Sequence, residues 1–121
     1  MTDIMHSESI ASEEALRSHY GEPLAIAVAM TKTFLDEHHQ NFIRNSPFVC
    51  LASAAKDGQP NVSPKGDAPG FVHILDSKTL VIPDRPRNNK VESFENLIDN
   101  PKIALIFLYL GLQNHSVYRV R

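Results

Sequence analysis

Between Asn61 and Lys90 the chain sets two polar, proline-stiffened loops on either side of one short apolar hairpin. The first loop is Ser63-Pro64-Lys65-Gly66-Asp67, and the second is Pro83-Asp84-Arg85-Pro86-Arg87-Asn88-Asn89-Lys90. Both carry cations and amide or hydroxyl donors on a restricted backbone, which suits an anion. The second loop runs into Val91, Phe94, Leu97 and Ile98, an apolar set at helical spacing. Asn88 or Asn89 is then the N-cap, and the unpaired N–H groups of the first turn face the loop that holds Arg85 and Lys90. A phosphate there would meet the helix dipole, free backbone donors and a guanidinium able to bind it in two places. A capped helix with solvated charges explains either loop alone, because surface cations usually have no special task. The pair, with one hairpin between, shifts the balance towards a binding site.

The 121 residues allow one domain with a core of modest size. A hydrophobic content of 42% and a charged content of 21% are those of an ordinary soluble globular chain. The net charge of −2 gives no sign of a nucleic acid or anionic membrane partner, and a basic face interleaved with aromatics is missing. The charge is unevenly placed: residues 1–46 hold seven acids and three bases, residues 47–121 seven acids and nine bases. The positive excess therefore falls where the loops are. One cysteine, Cys50, cannot form an internal disulfide, and within Phe48-Val49-Cys50-Leu51-Ala52 it reads as a small core hydrophobe. No apolar run is long enough to span a membrane, and the N-terminus lacks a basic region followed by an apolar one, so a cytoplasmic protein is expected.

Residues 1–11 read as a disordered polar tail and 12–121 as the domain, with a helical part over 12–46 and a barrel part over 47–121. Ser12, followed by Glu13 and Glu14, starts a short helix that Gly21 stops. Pro23 opens a second, longer helix in which Leu24, Val28, Leu35, Phe42 and Ile43 share a face, ended by Asn45-Ser46-Pro47. His38 and His39 lie in that helix about 100° apart, so they cannot readily chelate one metal. Asp36 can approach His39 at three residues' separation, but no third ligand is in sight and no metal site is expected.

From Pro47 the sequence turns to short strands. Phe48 to Ala54 is a strand, Lys56-Asp57-Gly58-Gln59 a hairpin turn, and Pro60 to about Ser63 the partner strand, ending in the first loop. Phe71 to Leu75 and Thr79 to Ile82 form a second hairpin about Asp76-Ser77-Lys78. A helix from about Asn89 to Ile98 follows, and Ile103 to Leu108 reads as a strand covered on both sides. Val117 to Val120 can add a last strand. Five strands with one inserted helix and two preceding ones predict an α+β fold built on a small antiparallel barrel.

Leu51-Ala52-Ser53-Ala54 before a D-G hairpin, then Asn61 to Phe71, then Ile82-Pro83-Asp84-Arg85-Pro86, Asn88-Asn89-Lys90 and Asn96-Leu97 to Asn100-Pro101 resemble the flavin-binding split β-barrel proteins related to pyridoxamine 5'-phosphate oxidase. The resemblance runs from about Ser12 to Gly111 and is closest to a subgroup with S-P-[RK]-G-D and I-P-D-R-P-x-N-N motifs. It implies an FMN-binding antiparallel split β-barrel with N-terminal helices and an inserted helix, a homodimer, and FMN held between subunits. Carried over, it puts Ser63, Lys65, Gly66 and Asp67 at the flavin edge, and Arg85, Asn88, Asn89 and Lys90 at its phosphate and ribityl chain, with Pro83 among the cofactor-binding positions. Deazaflavin and haem also occur among split-barrel relatives; FMN is the cofactor expected. Members of the subgroup continue with further strands past the one matching Ile103 to Leu108. From Gly111 the sequence leaves their pattern, so a barrel incomplete at the C-terminus is expected, with an open sheet edge.

The function expected is that of an FMN-dependent oxidoreductase passing electrons to or from an unidentified small molecule. The alternative is a flavin-binding module without turnover, or a relative that has lost the cofactor. No Ser-His-Asp set, carboxylate pair or metal cluster marks a catalytic residue.

Overall fold

A computed structural model of the chain describes residues 9–84, 92–109 and 115–119, with Glu92 and 115–119 followed by backbone alone. The chain forms two compact units, Met1–Lys32 and Thr33–Arg121. In the first unit α1, Glu13–Tyr20, begins as its sequence dictates: Ser12 Oγ accepts from the Ala15 N–H at 3.0 Å, with Glu13 and Glu14 in the first turn. Gly21 ends it at a φ of 75°, donating its N–H to the Arg17 carbonyl. A second helix, α2, spans only Ala25–Ala29.

The long helix expected from Pro23 onward is therefore two. After α2 the chain breaks, and α3 starts afresh at Glu37–Asn45 in the second unit. Asp36 sets the break, because its Oδ1 accepts the His39 N–H at 2.9 Å and caps a new helix. Thr31 and Thr33, β-branched and prone to local hydrogen bonding, do little to carry α2 onward. The face predicted for the single helix is divided: Leu24 and Val28 are exposed, whereas Phe42 and Ile43 are buried.

In the second unit β1, Phe48–Ala54, pairs antiparallel with β2, Pro60–Gly66, through the turn at Gly58, whose φ is 92°. β2 does not end at Ser63. Its register runs from Ala54 opposite Pro60 to Phe48 opposite Gly66, so most of the expected first loop is strand. The backbone of Phe48–Cys50 needs a ladder partner, and Pro64 is tolerated because β2 is an edge strand of its sheet. β3, His73–Asp76, and β4, Thr79–Val81, make a separate two-stranded sheet. Phe71 and Val72, expected within β3, precede it and enter the core. The Lys78 N–H, donated to Asp76 Oδ1 at 2.8 Å, is the first cause holding that carboxyl below its ordinary value, with the Thr79 side chain second.

The helix α4, Glu92–Asp99, leads to β5, Ala104–Leu108, and β6, His115–Arg119, completing a sheet of order β2-β1-β5-β6. The expected N-cap at Asn88 or Asn89 lies outside the described residues. The core gathers Phe42, Ile43, Val49, Leu51, Phe71, Val72, Leu105 and Phe107. Each large side chain fully buried there stabilises the unit by about 1.5–3 kcal/mol. β5 was expected to be covered on both sides, yet only Leu105 and Phe107 are buried, while Ala104 and Ile106 are half-buried and Leu108 exposed. On β1 the same alternation buries Val49, Leu51 and Ser53. Thus one sheet face carries the core and the other is more open. The architecture is α+β with antiparallel sheets, as expected, and among the described residues they do not close into a barrel.

Four contacts fasten the end of α3 to the strands and to the segment after β2. Ser46, 1% exposed, places its hydroxyl within reach of the Phe48 and Leu108 carbonyls. The Asp67 N–H donates to the Pro47 carbonyl at 3.1 Å, and the Gly70 N–H to Ser46 at 3.2 Å. Gly70 has a φ of 79°, and a Cβ there would stand 2.7 Å from the Arg44 carbonyl oxygen, so only glycine fits.

Candidate functional site

Strand β2 displays its polar residues on one face. Asn61, Ser63 and Lys65 are half-buried, and Val62 and Pro64 between them are exposed. Register partners place the three beside Ser53, Leu51 and Val49, so a hydroxyl and an ammonium border the buried core face. Among the described residues no carboxylate pairs with Lys65; its ammonium lies 5.9 Å from the centroid of the Phe94 ring. Such a distance falls within the range of a cation–π contact.

Gly66 closes β2, and its φ is not positive. A Cβ at this position would meet Phe48 Cδ2 at 3.5 Å and the Pro47 carbonyl at 3.6 Å, ordinary van der Waals spacings. The fold therefore does not itself require glycine at 66, in contrast to Gly70. Asp67, exposed just beyond, turns its Oδ1 back to the Ala68 N–H at 2.8 Å.

Structure thus joins Ser63, Lys65, Gly66 and Asp67 on one strand and its exit. Pro83 lies past β4, half-buried, in the segment leaving the other sheet. Arg85, Asn88, Asn89 and Lys90, the predicted phosphate-binding set, lie outside the described residues.

The sequence reading missed the way α4 meets the sheet. Asn61 Nδ2 donates to Ser93 Oγ at 3.2 Å, and Asn96 Nδ2 donates to Ser53 Oγ at 3.2 Å. Ser53 is only 6% exposed, so the second bond satisfies a buried hydroxyl. The helix thereby presents Ser93, Asn96 and Leu97 inward, leaving Phe94 at 42% and Ile98 at 84% exposure. The available signal was the three-residue spacing of Ser93 and Asn96, matched by Ser53 and Asn61 on either side of one hairpin.

Elsewhere, His39 Nδ1 lies 3.0 Å from Asp36 Oδ1, the approach expected from their spacing. Among the described residues no group of three or more His, Cys, Asp or Glu could hold a metal, and no helix is long and apolar enough to cross a membrane.

Fold and site together define an α+β domain of antiparallel sheets with a cation and a hydroxyl along one strand edge. The family model described as pyridoxamine 5'-phosphate oxidase matches residues 35–121, and the chain belongs to that family. No curated protein matches it. It is similar to a solved structure of HupZ from Group A Streptococcus, a tagged histidine-to-alanine variant, at 24% identity with a TM-score of 0.48. That match covers 63% of this chain and 58% of the other, so the chain spans less than two thirds of that protein's length.

Proposed function

We propose that the chain binds FMN and serves as a flavin-dependent oxidoreductase, acting as a homodimer on a small molecule. The observation that carries this reading is the pairing of the Ser63 hydroxyl and the Lys65 ammonium on one face of β2 in a member of this family. When bound, the flavin supplies the electron chemistry. The chain's own residues bind and tune it. Lys65 would bring positive charge beside the bound ring, where a cation would favour its reduced, anionic form. Ser63 offers a hydroxyl donor, and Gly66 lets backbone approach the ring closely. Asp67 keeps the turn after β2 in shape through its bond to Ala68.

In the same reading Arg85 binds the phosphate in two places, Asn88, Asn89 and Lys90 hold the phosphate and ribityl chain, and Pro83 stiffens the entry to their loop. Family membership supports both a flavin site and a dimer in general terms.

The test begins with an absorbance spectrum of the purified chain, fluorescence of the supernatant after denaturation, and sedimentation velocity. A flavin spectrum, stoichiometric FMN on release and a dimer are expected, and bleaching by a nicotinamide donor separates an enzyme from a carrier. A protein that stays colourless after incubation with excess FMN would sink the proposal. Gly66→Ala gives the sharper check. Alanine restricts the unfolded chain, so stability is expected to hold or rise by about 0.4–1 kcal/mol, while FMN affinity falls. Unchanged affinity would remove Gly66 from the site.

A further inference from the structure

Helix α4 is held to the sheet by a rectangle of four polar side chains. Ser93 and Asn96 stand three residues apart on one helix face, and Ser53 and Asn61 are partners across the β1–β2 ladder. Phe94 follows Ser93 and is turned from it by about 100°. With Ser93 fixed inward, Phe94 projects to the side of the helix. Lys65, four positions along β2 from Asn61 and on the same face, brings its ammonium to within 5.9 Å of that ring.

Had the helix docked by the side that carries Phe94 and Ile98, the ring would be covered and withdrawn from solvent. The polar docking leaves the ring at the rim of the strand that carries the candidate flavin contacts. An ammonium on a four-carbon stem is otherwise free to take many rotamers, and ordering it on a ligand costs entropy. A ring face beside it reduces the number of rotamers left to lose.

We propose that Phe94 is a positioning residue for Lys65: its ring face holds the ammonium in place before a ligand arrives, and the Asn96–Ser53 bond holds the ring. The functional consequence rests on the reading of Lys65 as a flavin contact; the positioning itself does not.

Two readouts keep these apart. The first needs no cofactor. In the nuclear magnetic resonance spectrum of the protein without added flavin, the ε-methylene protons of Lys65 are expected upfield of the other lysines, shifted by the Phe94 ring. Phe94→Leu, which keeps apolar bulk without a π face, is expected to abolish that displacement, Phe94→Tyr to retain it, and Asn96→Ala to reduce it. A Lys65 signal unmoved by Phe94→Leu overturns the positioning role. Phe94 is exposed, so each substitution at this site is expected to leave the fold intact, and the thermal midpoint checks that.

The second readout is FMN titration. Phe94→Leu is expected to raise the dissociation constant about twofold to fivefold, and Phe94→Tyr to leave it near that of the parent. Equal affinity of parent and Phe94→Leu overturns the functional consequence. If the parent binds no FMN, the cofactor reading fails, and the proton shifts still decide whether Phe94 positions Lys65.

Discussion

At the scale of single residues, the chain separates glycines and carboxylates that serve the fold from those left for other work. Gly70 is bound to its place by positive φ and by the Arg44 carbonyl, whereas Gly66 is under neither constraint. Nothing in the sequence marks Gly70 as the constrained one, because backbone crowding from a distant helix end leaves no local trace. Asp76 is of the structural kind. It is exposed, and the Lys78 N–H stabilises its charged form. Its folded pKa is depressed, so its contribution is complete above the ordinary value of 3.8 and is lost as pH falls through the lowered one. Asp76→Asn is therefore expected to unfold slightly below the parent at neutral pH, and the gap in thermal midpoint to narrow as pH falls through and below 3.8. A gap that stays constant as the carboxyl is protonated would show that Asp76 adds nothing through its charge.

At the scale of elements, the sequence carries the local signals but not the docking. Ser12, Gly21 and Gly58 punctuate the chain through their own conformations, and α1 and the β1–β2 turn follow them. The break between α2 and α3 was present in Asp36 as a cap, yet the apolar spacing across it read as one face. Helix α4 departs most from expectation. Of its apolar set, Leu97 faces inward beside Asn96, whereas Phe94 and Ile98 are exposed and hydrogen bonds to Ser53 and Asn61 fix the Ser93–Asn96 side to the sheet. Stability is then expected to invert the usual ranking. Asn96→Ala, which strips the buried Ser53 hydroxyl of its donor, should cost about 1–2 kcal/mol. Ile98→Ala should stay within about 0.5 kcal/mol, since its side chain is in solvent. Chemical denaturation of the two variants measures the difference, and a larger loss for Ile98→Ala would show that the helix docks by its apolar side.

Across the whole molecule, the antiparallel α+β class was legible because strand-length apolar runs and turn residues alternate from Pro47 onward. The cation and hydroxyl at Lys65 and Ser63 were legible as composition, but pairing of Ser63 to Gly66 with β1 was not, because ladder length depends on the partner strand. Ser46 shows how such distant dependence is closed. Its hydroxyl joins the start of β1 to Leu108, a residue 62 positions away. The β1–β2 hairpin needs only a short turn to form, while β5 must return from far along the chain. Loop-closure entropy then orders assembly: the hairpin can precede, and the β1–β5 seam must wait. Ser46 finds its second acceptor only after the seam has shut, so it acts as a latch on the finished fold. Ser46→Ala should accordingly speed unfolding several-fold in stopped-flow experiments while leaving the refolding rate nearly unchanged. Slower refolding would instead place the seam in the folding nucleus.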